Sequence, residues 1–130
     1  MSSIFSKIVE GSIPCYKIAE NDSFLAFLDI EPLTEGHSLV IPKKEIDYVF
    51  DLDDTTLKEM MVFSKMVAVK LKAAVPCNRI GISVIGLEVP HAHIHLVPIN
   101  RIDDMNFSKH KLELTSAEMI AIQERILRQA

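Results

Sequence analysis

Residues 91–97 read His-Ala-His-Ile-His-Leu-Val, and three of the chain's five histidines fall here at every second position. A β-strand turns successive side chains to opposite faces. His91, His93 and His95 are therefore expected on one face, with Cα atoms about 6.5 Å apart. Ala92, Ile94 and Leu96 are expected on the other. Three imidazoles driven into a core would be short of partners. Such a strand belongs in a sheet whose apolar face is packed and whose polar face is open.

The rest of the chain supplies a sheet and its cover. Residues 3–10 read as a short amphipathic helix, with Ile4, Phe5 and Ile8 at helical spacing and Gly11 as its stop. Residues 16–19 form a short candidate strand before an Asn21-Asp22 turn. FLAFLDI (24–30) and HSLVI (37–41) read as strands, the second stopped by Pro42. From 53 to 75 the pattern is helical: Leu57, Met60, Met61, Val67, Leu71 and Ala74 recur at three- and four-residue steps, and Lys58, Lys65 and Lys72 face outward. Pro76 ends it. RIGISVI (79–85) and the histidine segment (91–97) are two more strands. A Thr115/Glu118 capping box opens a last helix through Met119, Ile122 and Ile126. The order predicts an α+β domain: a mostly antiparallel sheet of about five strands, one long helix and short terminal helices. With 130 residues and no repeat or linker, residues 1–130 read as one domain.

Composition narrows the function. Apolar residues make up 48% and charged residues 25%, with a formal net charge of −4. A nucleic-acid-binding module would show a basic excess instead; a single nucleotide needs only local donors. Cys15 and Cys77 are too few and too far apart for a disulfide framework, so reduced thiols are expected. The N-terminal segment lacks the apolar stretch of a signal peptide, and no apolar run is long enough for a membrane span. Together these predict a cytoplasmic protein that binds no membrane.

Alternating histidines admit three readings. They can be chance residues on an exposed strand, or ligands of a metal completed by further His, Asp or Glu. They can also be catalytic: a neutral imidazole attacks phosphorus if a neighbour holds its other proton and donors bind the developing charge. Spacing alone leaves the last two open.

The motif His-φ-His-φ-His-φ-φ, with φ apolar, is the hallmark of the histidine triad (HIT) family, and residues 91–97 match it at every position. The resemblance extends in the family's order through IFSKIVEGSIP, FLAFLDI and GHSLVIPKKE, from Ile4 to about Pro98. The core is then about 4–100, with 101–130 a C-terminal extension carrying a helix. The resemblance implies that His93 is the nucleophile, forming a nucleotidyl-imidazole that water hydrolyses. His91 and His95 would orient it and donate to phosphate oxygens, and His37 matches the family's fourth histidine. Asp29 matches the acid that accepts the ribose hydroxyls. Ile4, Phe5, Ile8, Leu28 and Ile30 correspond to apolar positions around a purine base.

Two departures stand out. Many family members hold zinc with a C-x-x-C pair, a histidine after IPK and a triad histidine; here those first three positions are Ser3, Ser6 and Glu45. Hydroxyls are poor zinc ligands, so no zinc is expected. The turn before the triad is shortened, and Leu87 stands where the family has a donor Gln, with Glu88 beside it. The resemblance, on the Hint-like branch, implies a hydrolase or transferase cleaving P–N or P–O bonds of nucleoside phosphate conjugates, without a cofactor. The alternative is a nucleotide-binding protein with weak or no turnover. It also implies a homodimer, with which the stripe of Met60, Met61 and Met66 is compatible.

Overall fold

The computed structural model describes residues 2–129. Helix α1 (Ile4–Glu10) leads into strands β1 (Lys17–Glu20), β2 (Phe24–Leu28) and β3 (Ser38–Pro42). The long helix α2 (Asp54–Ala74) follows, then β4 (Arg79–Ser83), β5 (Ile94–Ile99) and α3 (Ser116–Leu127). The strands form one sheet in the order β1-β2-β3-β5-β4, and every neighbouring pair is antiparallel. Among the described residues the protein is thus α+β, with a five-stranded antiparallel sheet, three α-helices and two short 3-10 helices.

Local chemistry explains the boundaries. Ser3 caps α1 by accepting the Ser6 N–H, and Gly11 ends that helix in the left-handed region at φ 85°. Asp53 caps α2 by accepting from the Thr56 N–H. The capping box at Thr115 and Glu118 is present on α3. Gly36, at φ 90°, turns the chain into β3 where a Cβ would meet Val75 Cγ2 at 2.9 Å.

The sheet is covered on both faces. Phe24, Ala26, Leu28, Val40, Ile94 and Leu96 pack with Met60, Phe63, Val67 and Leu71 of α2 and with Met119, Ile122 and Ile126 of α3. On the opposite face, Leu25, Phe27, Leu39 and Ile41 pack against Phe5 of α1. Within the segment after residue 100, α3 packs its Met119, Ile122 and Ile126 into the larger core.

Three expectations need correction. The histidine strand begins at Ile94, so His91 and His93 lie in the irregular segment before it. Pairing with β3 runs only from Val40↔Ile94 to Ser38↔Leu96. Beyond Val40, the Pro42 carbonyl accepts from the His91 ring rather than from a ladder N–H. Nor is the histidine face open: His91 is 0% exposed, His93 6% and His95 8%. Finally, Met61 faces outward at 51% exposure, while Met60 is fully buried.

Candidate active site

The site is built on the α1 face of the sheet, where each histidine ring is held by a specific partner. His37 stands just before β3. Its Nδ1 accepts the Leu33 N–H at 2.9 Å, so its proton must sit on Nε2. That Nε2–H donates to His95 Nδ1 at 3.0 Å, which leaves His95 with its own proton on Nε2. A backbone amide thereby fixes the tautomers of two rings in series. His93 is set in the opposite sense. Its Nδ1 lies 2.7 Å from the His91 carbonyl, an acceptor, so Nδ1 carries the proton and Nε2 keeps a free lone pair.

The rings pack against one another and against aromatic covers. His93 and His95 are 4.9 Å apart between ring centroids, edge to face. Phe5 meets His93 edge-on at 5.0 Å and His91 at 5.9 Å. Phe107, from the segment after β5, meets His95 at 4.8 Å and His37 at 6.1 Å.

Burial sets the electrostatics. It pushes His37 down to about 3 and His95 down to about 4, each next depressed by a neighbouring histidine. Burial also lowers His93, against a smaller opposing effect of its bond to the His91 carbonyl. All three rings are neutral at pH 7. Burial raises Asp29 to about 6, partly offset by the Glu31 N–H that its Oδ1 accepts. Asp29 Oδ2 lies 3.6 Å from His37 Nε2. With His37 neutral, that contact is not an ion pair.

Asp29, His37 and His95 offer ligand atoms within 4.8 Å of one another, close enough to share a cation. Against this, the His37 Nε2–H is already directed at His95 Nδ1. Ser3, Ser6, Glu45 and His91 also come together, through hydrogen bonds: Ser3 Oγ to His91 Nδ1 at 2.8 Å, and Ser6 Oγ to Glu45 Oε1 at 2.6 Å.

Of the apolar positions expected around a base, Phe5 is buried beside His93 and Ile8 is packed against the same cluster. Ile4 and Ile30 are 50% and 70% exposed. Ile30 lines a cleft of about 830 Å³ with Glu31 and residues 108–114. Leu28 is a correction: it lies in the core on the α2 side, across the sheet from the histidines. Leu87 is 88% exposed. Glu88 lies near enough to both His93 and Asp29 to raise them.

Sequence reasoning missed Phe107 and Lys111. The Lys111 ammonium acts on Asp29 and His37, lowering both. The available signal was an aromatic flanked by Lys109, His110 and Lys111 in an otherwise unassigned tail.

Comparison with known proteins decides the family. Residues 10–102 match the HIT domain. The chain belongs to the HIT family. Among curated relatives, it is 41% identical over 102 residues to adenosine 5′-monophosphoramidase of Schizosaccharomyces pombe, covering 75% of this chain and 74% of that protein. An uncharacterized HIT-like protein of Borreliella burgdorferi is 37% identical over 119 residues, covering 85% and 86%. Among solved structures, a HIT-like protein of Bartonella henselae superposes with TM-score 0.83 at 26% identity, covering 97% and 95%. A zinc-bound histidine triad family protein of Mycobacterium smegmatis gives TM-score 0.79 at 28% identity, covering 97% and 94%.

Proposed function

We propose that this HIT protein hydrolyses nucleoside phosphoramidates or related nucleoside phosphate conjugates, through a covalent adduct on His93. The observation that carries the reading is the proton placement on His93: Nδ1–H is tied to the His91 carbonyl, so Nε2 is an unprotonated nucleophile. Burial keeps it so below its ordinary titration range. In the first step Nε2 bonds to the α-phosphorus as the bond from phosphorus to the amine breaks, and the amine leaves with a proton from solvent. Water then attacks phosphorus and gives up a proton to solvent, the Nε2–P bond breaks with its electron pair returning to Nε2, and the nucleoside monophosphate departs with the imidazole neutral again. His95, with its proton on Nε2, is a donor for a phosphate oxygen as charge develops there. No cofactor enters these steps. The S. pombe relative supports an adenosine phosphoramidate as the first substrate to test.

The test is turnover of adenosine 5′-phosphoramidate by the purified protein, with the 2′-deoxy substrate and Asp29→Ala as further arms. Asp29 has Oδ1 engaged by the Glu31 N–H, while no hydrogen bond from the described residues occupies Oδ2. If Oδ2 accepts a ribose hydroxyl, Asp29→Ala weakens binding of the ribonucleotide by about 1–3 kcal/mol and spares the 2′-deoxy analogue. Equal losses would make Asp29 a turn residue only. A second reading, nucleotide binding with little turnover, draws on Leu87, which projects into solvent and offers no donor. Single-turnover labelling separates the two, since a binder forms no adduct.

We also infer a homodimer. Strand β4 is a sheet edge, and Ile82, Met61, Val62 and Val69 near it are 47%, 51%, 68% and 61% exposed. These residues make an apolar surface of the kind that marks an interface. Light scattering should give twice the chain mass of 14.6 kDa; a monomer at micromolar concentration contradicts it. No helix among the described residues is long and apolar enough to cross a membrane. Free, half-buried Cys15 and Cys77 are consistent with a reducing, cytoplasmic setting.

A further inference from the structure

We propose that Ser3 and Glu45 are positioning residues: a hydrogen-bonded clamp, in place of a metal, fixes the His91 ring and through it the orientation of His93. The proposal rests on His93 being the nucleophile, and the observations behind it are independent of that.

The clamp joins three separate segments. His91 Nε2 lies 2.7 Å from the Pro42 carbonyl. A carbonyl only accepts, so Nε2 carries the proton, and in the neutral ring Nδ1 is then an acceptor. The Ser3 hydroxyl, 2.8 Å away, donates to it. Ser3 Oγ in turn accepts the Ser6 N–H at 3.0 Å. The Ser6 hydroxyl donates to Glu45 Oε1 at 2.6 Å, and the Ser3 N–H donates to the same oxygen at 2.6 Å. Those two bonds, the Ser3 N–H first, hold the Glu45 carboxyl at about 2, so it is a full anion at every working pH. His91 is completely buried, so in the intact fold its ring nitrogens are satisfied by protein groups alone.

Both ring nitrogens of His91 are thus committed, and the carbonyl of that same residue receives the His93 Nδ1–H. A loosened His91 would move the acceptor that keeps the His93 lone pair on Nε2. The clamp also seats α1, whose Phe5 packs on His91 and His93.

Zinc does not fit these residues. Two of the four side chains are neutral hydroxyls, poor ligands for that ion, and the His91 Nδ1 lone pair is already taken by a hydroxyl proton. A related structure is zinc-bound; here serines and a glutamate do the tethering. No chemical step passes through a metal.

A simpler account makes Ser3 only the N-cap of α1, and substitutions separate the two. Glycine is nearly as good an N-cap as serine but has no hydroxyl. Ser3→Gly is therefore expected to stay folded with KM for adenosine 5′-phosphoramidate nearly unchanged, while kcat falls about 10–100-fold, the scale by which a hydrogen-bond partner that orients a functional histidine acts in metal sites, taken here for a metal-free one. Ser3→Thr, which keeps the hydroxyl, should restore most of it. Glu45→Ala, at an exposed position, should lower kcat likewise, and Glu45→Gln, which still accepts both bonds, should not. Ring nitrogen-15 spectra of His91 should show a single Nε2–H tautomer in the wild type and lose that signature in Ser3→Gly and Glu45→Ala. Elemental analysis should find no stoichiometric zinc. Wild-type kcat and an unchanged His91 signature in Ser3→Gly and Glu45→Ala, or one zinc per chain, would overturn the clamp. If the wild type turns over no phosphoramidate, the functional reading fails, and the His91 spectra still decide the clamp.

Discussion

Replacing His93 by alanine is expected to abolish turnover, with a loss of roughly 10⁶ in kcat, the scale seen when a covalent nucleophile is removed. Nucleotide binding should survive, because Asp29 and Phe5 are untouched. His93→Asn should be as inactive: an amide can occupy the space and bond to the His91 carbonyl but has no lone-pair nitrogen to attack phosphorus. His95→Ala removes a donor and leaves the nucleophile, so its loss should be smaller, about 10²–10³. Labelled substrate quenched without acid should leave the nucleotidyl group on His93 in the wild type, since phosphorus–imidazole bonds are acid-labile. Substantial turnover in His93→Ala, or an adduct mapped to His91, would refute the assignment.

How much of this was legible in the sequence depends on the range of the interactions involved. Helix ends are local, so Gly11 and the Thr115/Glu118 box fall where their chemistry puts them. The assignment of faces was partly hidden. FLAFLDI is apolar on both sides, and β2 is buried at every residue, so its alternation could not show that Leu28 faces α2. The histidine face reads as open because its covers come from afar in the chain: Phe5, 86 residues before His91, and Phe107 from the tail. With those covers in place, the imidazoles find partners in Pro42, Leu33 and Ser3, none of which the alternation announces. The same burial raises Asp29 and lowers His37, a property that no local pattern carries.

The buried neutral rings should make the fold acid-sensitive well above the usual carboxylate range. In the unfolded chain histidines take up protons near pH 6.5. In the folded chain His37 resists until about 3, His95 until about 4, and His93 also titrates below its free value. Between pH 6.5 and 4 the unfolded state binds more protons, so stability fully present above pH 6.5 is lost as pH falls. Asp29 works the other way. Its folded pKa of about 6 lies above the ordinary 3.8, so its ionisation opposes folding above pH 6 and that penalty is relieved as pH drops. At about 1.4 kcal/mol per pH unit of displacement, the histidines outweigh the single carboxyl, for a net loss of roughly 3–5 kcal/mol between pH 6.5 and 4. That is a large share of a typical domain stability of about 5–15 kcal/mol. Urea midpoints measured across this window should fall steeply. His37→Gln keeps an acceptor for Leu33 and a donor for His95 but cannot titrate, so its midpoints should fall less. Asp29→Asn should be more stable than the wild type at pH 7.5 and should lose more on acidification. If His37→Gln follows the wild-type curve, His37 is not held neutral by burial and the source of acid sensitivity lies elsewhere.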